Sequence, residues 1–208
     1  MGIIWLVLKK VKTELIIVLA VITILISLPV IALITFSTAG ISLVSEALAV
    51  VNPITHLVEI KDPDGKVIQT LSATTAWPVC GVISLEFGVE HLPYQPYHTG
   101  LDIANDFRVI GSPVTPFMEG TVTRVIDSTS GFGKHVIIDH GNGISSLYGH
   151  LSELRAVEGR HVSPGDVIGL EGNTGASTGP HLHFTIMISS IPINPHIFMI
   201  GEPERCIR

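Results

Sequence analysis

The sequence is poor in the residues that bind metals through sulfur or bind polyanions. Its 208 residues include two cysteines, Cys80 and Cys206, and no C-x-x-C pair, which disfavours a thiolate metal site. Charged residues make up 14% of the chain, and beyond residue 36 it carries 9 Lys/Arg against 17 Asp/Glu. An acidic domain of this kind argues against nucleic acid as a partner.

Charge is absent altogether from residues 15–36, LIIVLAVITILISLPVIALITF. The mean hydropathy of +0.52 is too high for a purely soluble protein, and this run accounts for the excess. Its 22 residues are long enough for a tilted helix to cross a bilayer, and Pro29 is tolerated in such helices. We therefore predict one N-terminal transmembrane helix over residues 15–36 rather than a buried core helix.

The charges before this run predict how the chain is oriented. Lys9, Lys10 and Lys12 precede it directly, so the positive-inside rule leaves residues 1–14 in the cytoplasm and the bulk of the chain outside. The expected protein is a single-pass membrane protein with an extracytoplasmic domain. The alternative is secretion after signal-peptide cleavage near Ala49, because Ala47-Leu48-Ala49 matches a cleavage pattern.

The remaining chain shows strand signals and no helical periodicity of useful length. Residues 37–75 are interpreted as a linker followed by a β-hairpin at 56–71, where D-P-D-G separates two alternating runs. From Trp77 onward, runs such as GTVTRVID, KHVIIDH and HLHFTIMI recur between glycine, proline and asparagine. The sequence predicts an all-β domain.

Histidine is the most informative residue type, because eight of the ten lie between His91 and His183. His181 and His183 are two residues apart in a strand-like segment, so both rings should share one face. His98 and Asp102 flank a glycine at a spacing that a loop can fold onto one ion. Imidazole and carboxylate suit catalytic Zn²⁺, although spacing alone leaves open a surface His98–Asp102 pair and a polar strand edge.

Three blocks in order, YHTGLDIA, GFGKHVIIDHGNGISSLYGHLS and GDVIGLEGNTGASTGPHLHF, resemble the M23 (LytM/lysostaphin-type) metallopeptidases. The resemblance implies a compact antiparallel β-sheet domain over residues 76–200, followed by a tail at 201–208. It also implies one zinc ion bound by His98, Asp102 and His183. His150 and His181 would be catalytic, one as general base and the other as oxyanion donor, with the assignment open. Thr185 departs from the family, in which an acidic residue is common at this position.

The same resemblance implies a zinc-dependent endopeptidase that hydrolyses peptide cross-links of cell-wall peptidoglycan at the outer face of the membrane. Loops at residues 91–97 and 129–133 are candidate walls of its substrate groove. The alternative is a catalytically inactive module that binds the wall or activates another hydrolase, and a partner in envelope machinery stays open. His135, His140 and His161 match no site position. Cys80 and Cys206 bracket the implied domain, and we predict that they pair.

Overall fold

The computed structural model describes residues 16–17, 19, 21, 23–24, 40, 43–62, 64–74, 76–89 and 97–207. Within these residues the protein is an all-β antiparallel structure, as predicted. No helix in the described part of the chain has both the length and the hydropathy to cross a membrane. The transmembrane prediction for residues 15–36, the cytoplasmic segment 1–14 and most of the candidate loop 91–97 lie outside the described residues.

The described residues contain fourteen strands and a short 3-10 helix, and residues 43–48 before them are helical. In chain order the strands are β1 (Ala49–Val51), β2 (Leu57–Lys61), β3 (Val67–Ser72), β4 (Val82–Leu85), β5 (Leu101–Ala104), β6 (Pro113–Val114), β7 (Gly120–Ile126), β8 (Lys134–Gly141), β9 (Ile144–Leu151), β10 (Glu153–Leu154), β11 (His161–Val162), β12 (Gly169–Leu170), β13 (Leu182–Ile188) and β14 (Ile191–Ile193), followed by a 3-10 helix at Pro195–Ile197.

The main sheet has the order β11-β7-β8-β9-β13-β5-β4, with β14 pairing with β13. Strand β13 lies between β9 and β5 and is buried along nearly its whole length. Because side chains alternate along a strand, Phe184 and Ile186 share one face while His183 and Thr185 share the other. Phe184 packs against Phe117 and Tyr148 in the core, which leaves the polar face of β13 for the site.

The segment before the main sheet has more structure than a linker. The hairpin predicted at 56–71 is confirmed as β2 and β3, and β1 adds a third strand to them. Residues 43–48 are helical, and Ser45 Oγ accepts a hydrogen bond from Asn194 N in the main domain (2.9 Å). The interpretation of residues 37–55 as a linker, either a short tether or a continuation of the preceding helix, did not include this strand, because three residues are too few to show an alternating pattern.

The C-terminal tail is tied back to the start of the main sheet. Cys80 and Cys206 form a disulfide across 126 residues, as predicted, just before β4 begins. Gly81 N donates to Glu204 O (2.8 Å) next to the disulfide. The tail is therefore attached to the domain by a disulfide and by hydrogen bonds.

Candidate metal centre

Three predicted ligands meet where β5 and β13 pair. In this antiparallel ladder His183 lies opposite Asp102, and His183 also lies opposite Gly149 on β9. Facing residues on neighbouring antiparallel strands have their side chains close together, so the register alone brings the carboxylate to the imidazole. His98 reaches the same point from the loop that precedes β5.

The ligand atoms of these residues form a small triangle. His98 Nε2 lies 3.0 Å from His183 Nδ1 and 3.0 Å from Asp102 Oδ1, and His183 Nδ1 lies 2.9 Å from Asp102 Oδ1. Three ligands of a tetrahedral zinc, each about 2.0–2.2 Å from the metal, are roughly 3.3–3.6 Å apart. The triangle needs to open by only a few tenths of an ångström to hold the ion.

The second nitrogen of each ring ligand is held by the protein. His98 Nδ1 donates to Glu86 O (3.0 Å), because a carbonyl oxygen can only accept, and Nε2 thus faces the cluster as an electron-pair donor. His183 Nε2 lies 2.9 Å from Thr185 Oγ1, which can accept a hydrogen bond from Nε2–H and leave Nδ1 for the cluster. Metal-binding histidines are usually oriented in this way.

Glycine at position 100 lets the loop approach the sheet. A Cβ there would lie 2.3 Å from Phe184 O, so any larger residue would push the His98–Asp102 loop away from β13. On the other side of β13, Phe132 stacks on the His183 ring, with centroids 5.0 Å apart. The His183 ring is therefore held on one face by Phe132.

Two further histidines lie beside the cluster. His150 Nδ1 donates to Thr174 O (2.7 Å), and no other hydrogen bond of its ring is found among the described residues, so Nε2 is the atom left for the cavity. His181 Nδ1 donates to Gly179 O (2.8 Å), and its Nε2 lies 3.4 Å from Asp102 Oδ2. The two rings are 4.8 Å apart. They differ in that both nitrogens of His181 face oxygen atoms, whereas only one nitrogen of His150 does.

Burial and charge act in opposite directions on these groups. Burial would raise the pKa of Asp102, but hydrogen bonds and charge interactions with His183 and His98 hold it well below its usual value. Burial lowers the pKa of His183 and lowers that of His150 to about 4. Neutral imidazoles and an ionised carboxylate are the forms that bind a divalent metal.

The cluster opens into a cavity of about 370 Å³. The candidate loop at residues 129–133 contributes Gly131 and Phe132 to its lining, and the loop that leads to β13 contributes residues 176–180. Of the candidate loop at residues 91–97, Tyr97 is described and is not among the lining residues. The site residues predicted from the sequence are all at this cavity: His98, Asp102, His150, His181 and His183.

The histidines without an assigned role lie elsewhere or point away. The half-buried His140 bonds Glu119 O and Ser146 Oγ, His135 Nδ1 donates to Gly133 O, and His161 is exposed. Sequence reasoning placed Phe132 in a candidate groove wall, but it did not identify the stacking of Phe132 on His183 or the carbonyls that orient the rings. A carbonyl group is common to every residue, so no sequence signal marks the ones that bind these nitrogens.

Comparisons with known proteins agree with this geometry. The model of peptidase family M23 matches residues 96–195. The DD-carboxypeptidase/endopeptidase Mpg of Neisseria meningitidis is 39% identical over 147 residues, which cover 69% of this chain and 33% of Mpg. The chain therefore spans about a third of the length of this curated relative.

Two solved structures share the fold. The catalytic domain of the antimicrobial peptidase lysostaphin from Staphylococcus simulans is 30% identical, with a TM-score of 0.51 over 55% of this chain and 89% of that chain. A zinc-containing peptidase from Vibrio cholerae is 27% identical, with a TM-score of 0.55 over 71% of this chain and 47% of that chain.

Proposed function

The chain belongs to peptidase family M23, and from that premise we propose that it is a zinc-dependent metalloendopeptidase that hydrolyses peptide cross-links of cell-wall peptidoglycan. The observation that carries the proposal is the convergence of three ligand atoms, 2.9–3.0 Å apart, at a cavity that also contains two further histidines. The substrate class is supported by the peptidoglycan DD-endopeptidase ShyA of Vibrio cholerae, which is 40% identical over 97 residues, or 47% of this chain and 22% of ShyA.

The donor set of the triangle fits a divalent cation. Two imidazole nitrogens and a carboxylate oxygen present electron pairs to one point, and these groups repel one another unless a proton or a cation lies between them. His98, Asp102 and His183 would hold the zinc. A zinc ion there would act as a Lewis acid toward the scissile carbonyl and the attacking water.

His150 is suited to remove the proton of the attacking water. Its Nδ1 proton is committed to Thr174 O, so Nε2 is the basic atom that faces the cavity. A base within hydrogen-bond reach of the water contributes roughly 10²–10⁴-fold to such reactions. The backbone holds the ring in place, because His150 N donates to Phe132 O (2.7 Å).

His181 is suited to donate to the substrate oxygen that becomes negative. Its Nδ1 donates to Gly179 O, and its Nε2 faces Asp102 Oδ2 at the cavity, where an N–H would point toward an oxygen atom. A donor aimed at the developing charge stabilises the transition state. This contrast between the two rings supports the proposed division of the roles that the sequence left open.

The closing test uses the full chain, purified in a mild detergent, with His183→Ala and His161→Ala as a matched pair of histidine variants. Zinc is measured by elemental mass spectrometry, and purified peptidoglycan is digested with each protein. We expect one zinc per wild-type and His161→Ala chain with release of uncross-linked peptides, and loss of both zinc and digestion in His183→Ala. Circular dichroism checks that His183→Ala is folded, and Asp102→Asn serves as a near-isosteric second variant.

A folded wild type that binds no zinc and digests nothing would instead support the inactive module that binds the wall or activates another hydrolase. The complete set of three ligands and two adjacent histidines favours the enzyme, because a module without catalysis has no chemical need for it.

We also propose that residues 15–36 anchor the protein in the membrane with its domain outside the cytoplasm. The support is the uncharged run and the lysines before it. Protease added to intact spheroplasts should remove the domain from the anchored protein. A domain found in the culture medium would indicate cleavage near Ala49, and protection from the protease would contradict the orientation.

A further inference from the structure

Arg108 carries a positive charge at the metal cavity. It is the one lysine or arginine among the described residues that line this cavity. No ion pair or hydrogen bond of its guanidinium is found in the described part of the chain, and the residue is exposed. The charge is therefore available to a ligand in the cavity.

The backbone of Arg108 adopts an uncommon conformation. Its φ of 51° lies in the left-handed region, which is strained for a residue with a Cβ. Such a conformation persists where the surrounding structure determines it, and it is frequent at ligand-binding positions.

The loop that carries Arg108 folds around the side chain of Asn105, which is 2% exposed. Asn105 Oδ1 accepts from Phe107 N (3.0 Å) and Val109 N (3.1 Å), and Asn105 O accepts from Arg108 N (3.0 Å). Each of the three residues around the left-handed turn thus bonds to the same asparagine.

A fully buried carboxylate fixes Asn105 in turn. Glu171 Oε2 accepts from Asn105 Nδ2 (2.8 Å) and Glu171 Oε1 lies 3.2 Å from Asn105 N. The backbone of Glu171 also pairs with the end of the loop, through Gly111 N and Ser112 O. A buried carboxylate is expensive unless it is hydrogen-bonded, so this network specifies one loop conformation.

The C-terminal tail holds the loop from its outer side. Asp106 accepts from Arg205 Nη2 (2.8 Å) and from Cys206 N (2.8 Å), and Cys206 is fixed by the disulfide to Cys80. The residue before Phe107 and Arg108 is therefore anchored independently of Glu171. Two separate sets of contacts hold a loop whose exposed tip bears the cation.

We propose that the Arg108 guanidinium binds a carboxylate of the substrate and so selects peptides with an acidic group near the scissile bond. The inference rests on the proposed function, since a peptide substrate carries its negative charge on carboxylates. A guanidinium presents paired N–H donors that match both oxygens of a carboxylate. The carboxylate is either the C-terminal α-carboxylate of a stem peptide or a side-chain carboxylate within it.

The test compares Arg108→Gln and Arg108→Lys with Arg124→Gln, a control at an exposed arginine on β7 that does not line the cavity. The substrates are synthetic cross-linked stem-peptide dimers in four forms: both carboxylates free, only the C-terminal one amidated, only the side-chain one amidated, and both amidated. The full chain is used in detergent, and kcat and KM are measured by separation of the products. Binding of fluorescent versions of the same dimers is measured by anisotropy.

We expect Arg108→Gln to raise KM for the free dimer roughly tenfold with little change in kcat, as for loss of one charge-assisted hydrogen-bonded contact. Arg108→Lys should lose less, and Arg124→Gln should match the wild type. Amidation of the carboxylate that Arg108 binds should raise the wild-type KM as much as Arg108→Gln does, and it should abolish the effect of Arg108→Gln. The amidated form that shows this result identifies which of the two carboxylates is bound.

An equal effect of Arg108→Gln on free and fully amidated dimers would overturn the proposal, as would no effect on either. The binding measurement separates failure of carboxylate recognition from failure of the proposed function. A wild-type chain that binds free dimers more tightly than amidated dimers, through Arg108, yet cleaves none would refute peptide hydrolysis and support carboxylate recognition.

Discussion

Two buried clusters of polar side chains lie in the same domain, and only one has the character of a reactive site. The metal cluster consists of His98, Asp102 and His183. The His140 cluster consists of His140, Ser146 and Tyr148, of which Ser146 and Tyr148 are fully buried. Burial lowers the pKa of His140 as it lowers that of His183, and it raises the pKa of Tyr148.

The clusters differ in how their polar atoms are satisfied. In the His140 cluster, His140 Nδ1 donates to Glu119 O (2.7 Å), His140 Nε2 bonds Ser146 Oγ (2.7 Å), and Tyr148 OH bonds Ser146 Oγ (3.0 Å) and accepts from Phe117 N (3.1 Å). A histidine 2.7 Å from a serine hydroxyl has the look of a nucleophile and its base, but a fully buried serine cannot reach a substrate. The cluster is a completed chain of hydrogen bonds.

In the metal cluster, by contrast, electron-pair donors face one another and open onto a cavity. Burial and a shifted pKa are common to both places, so neither distinguishes a site from a structural network. What distinguishes the metal cluster is that its converging electron-pair donors suit a bound cation and that a substrate can reach it. Three predictions test this distinction, from the largest effect to the smallest.

The largest effect is expected on kcat, from a substitution of His150 at the metal cavity. His150→Asn should lower kcat by roughly 10²–10⁴-fold, because the proton acceptor is lost, while zinc stays at one per chain because its ligands are untouched. Asparagine tolerates the positive φ of 62° at this position better than other replacements. Digestion kinetics and elemental mass spectrometry measure the two quantities, and His161→Asn is the control. Loss of zinc together with activity would mean that His150 holds the metal centre rather than the proton.

An intermediate effect is expected in the hydrogen-bonded His140 cluster, and it should appear in stability alone. Tyr148→Phe removes the acceptor of the buried Phe117 N–H and one partner of Ser146, which should lower the free energy of unfolding by about 1–3 kcal/mol. Activity at a temperature where the variant is folded should equal that of the wild type. Urea unfolding and peptidoglycan digestion measure the two. A variant with normal stability and reduced kcat would erase the contrast between the clusters.

The smallest effect concerns pH. Burial holds the pKa of His140 below its ordinary value of 6.5, so the unfolded chain takes up a proton there more readily than the folded chain. Its contribution to stability is complete above about pH 6.5 and is lost as the pH falls through the folded-state pKa, at no more than about 1.4 kcal/mol per pH unit.

His140→Gln should therefore show a shallower fall of unfolding free energy between pH 6.5 and 5 than the wild type, even though its stability at neutral pH is lower. The exposed His161→Gln is the control and should keep the wild-type slope. Equal slopes in His140→Gln and the wild type would show that this histidine does not couple folding to pH.

Much of the metal cluster could be predicted from local sequence. The two-residue spacing of His181 and His183 predicts one shared face, and both rings do approach Asp102. The four-residue spacing around Gly100 permits a loop that closes on one ion, the family resemblance implies that it does, and the ligand atoms of His98 and Asp102 are 3.0 Å apart. These features depend only on the periodicity of a strand and the size of a glycine.

Other features depend on residues that are far apart in the chain. Asn105 and Glu171 are 66 residues apart, and nothing in either local pattern marks them as partners, so the position of Arg108 could not be anticipated. The pairing of β1 with the hairpin is equally non-local. The prediction of a membrane anchor, by contrast, rests on one contiguous segment and stays a prediction.

The disulfide between Cys80 and Cys206 has a thermodynamic consequence for where the protein works. A cross-link across 126 residues removes about 5 kcal/mol of conformational entropy from the unfolded chain, in the simplest model. That amount is comparable to the whole stability of a small domain. The same polypeptide is thus far more robust where thiols are oxidised than where cells keep them reduced. Its folding free energy therefore depends on whether its surroundings are oxidising or reducing.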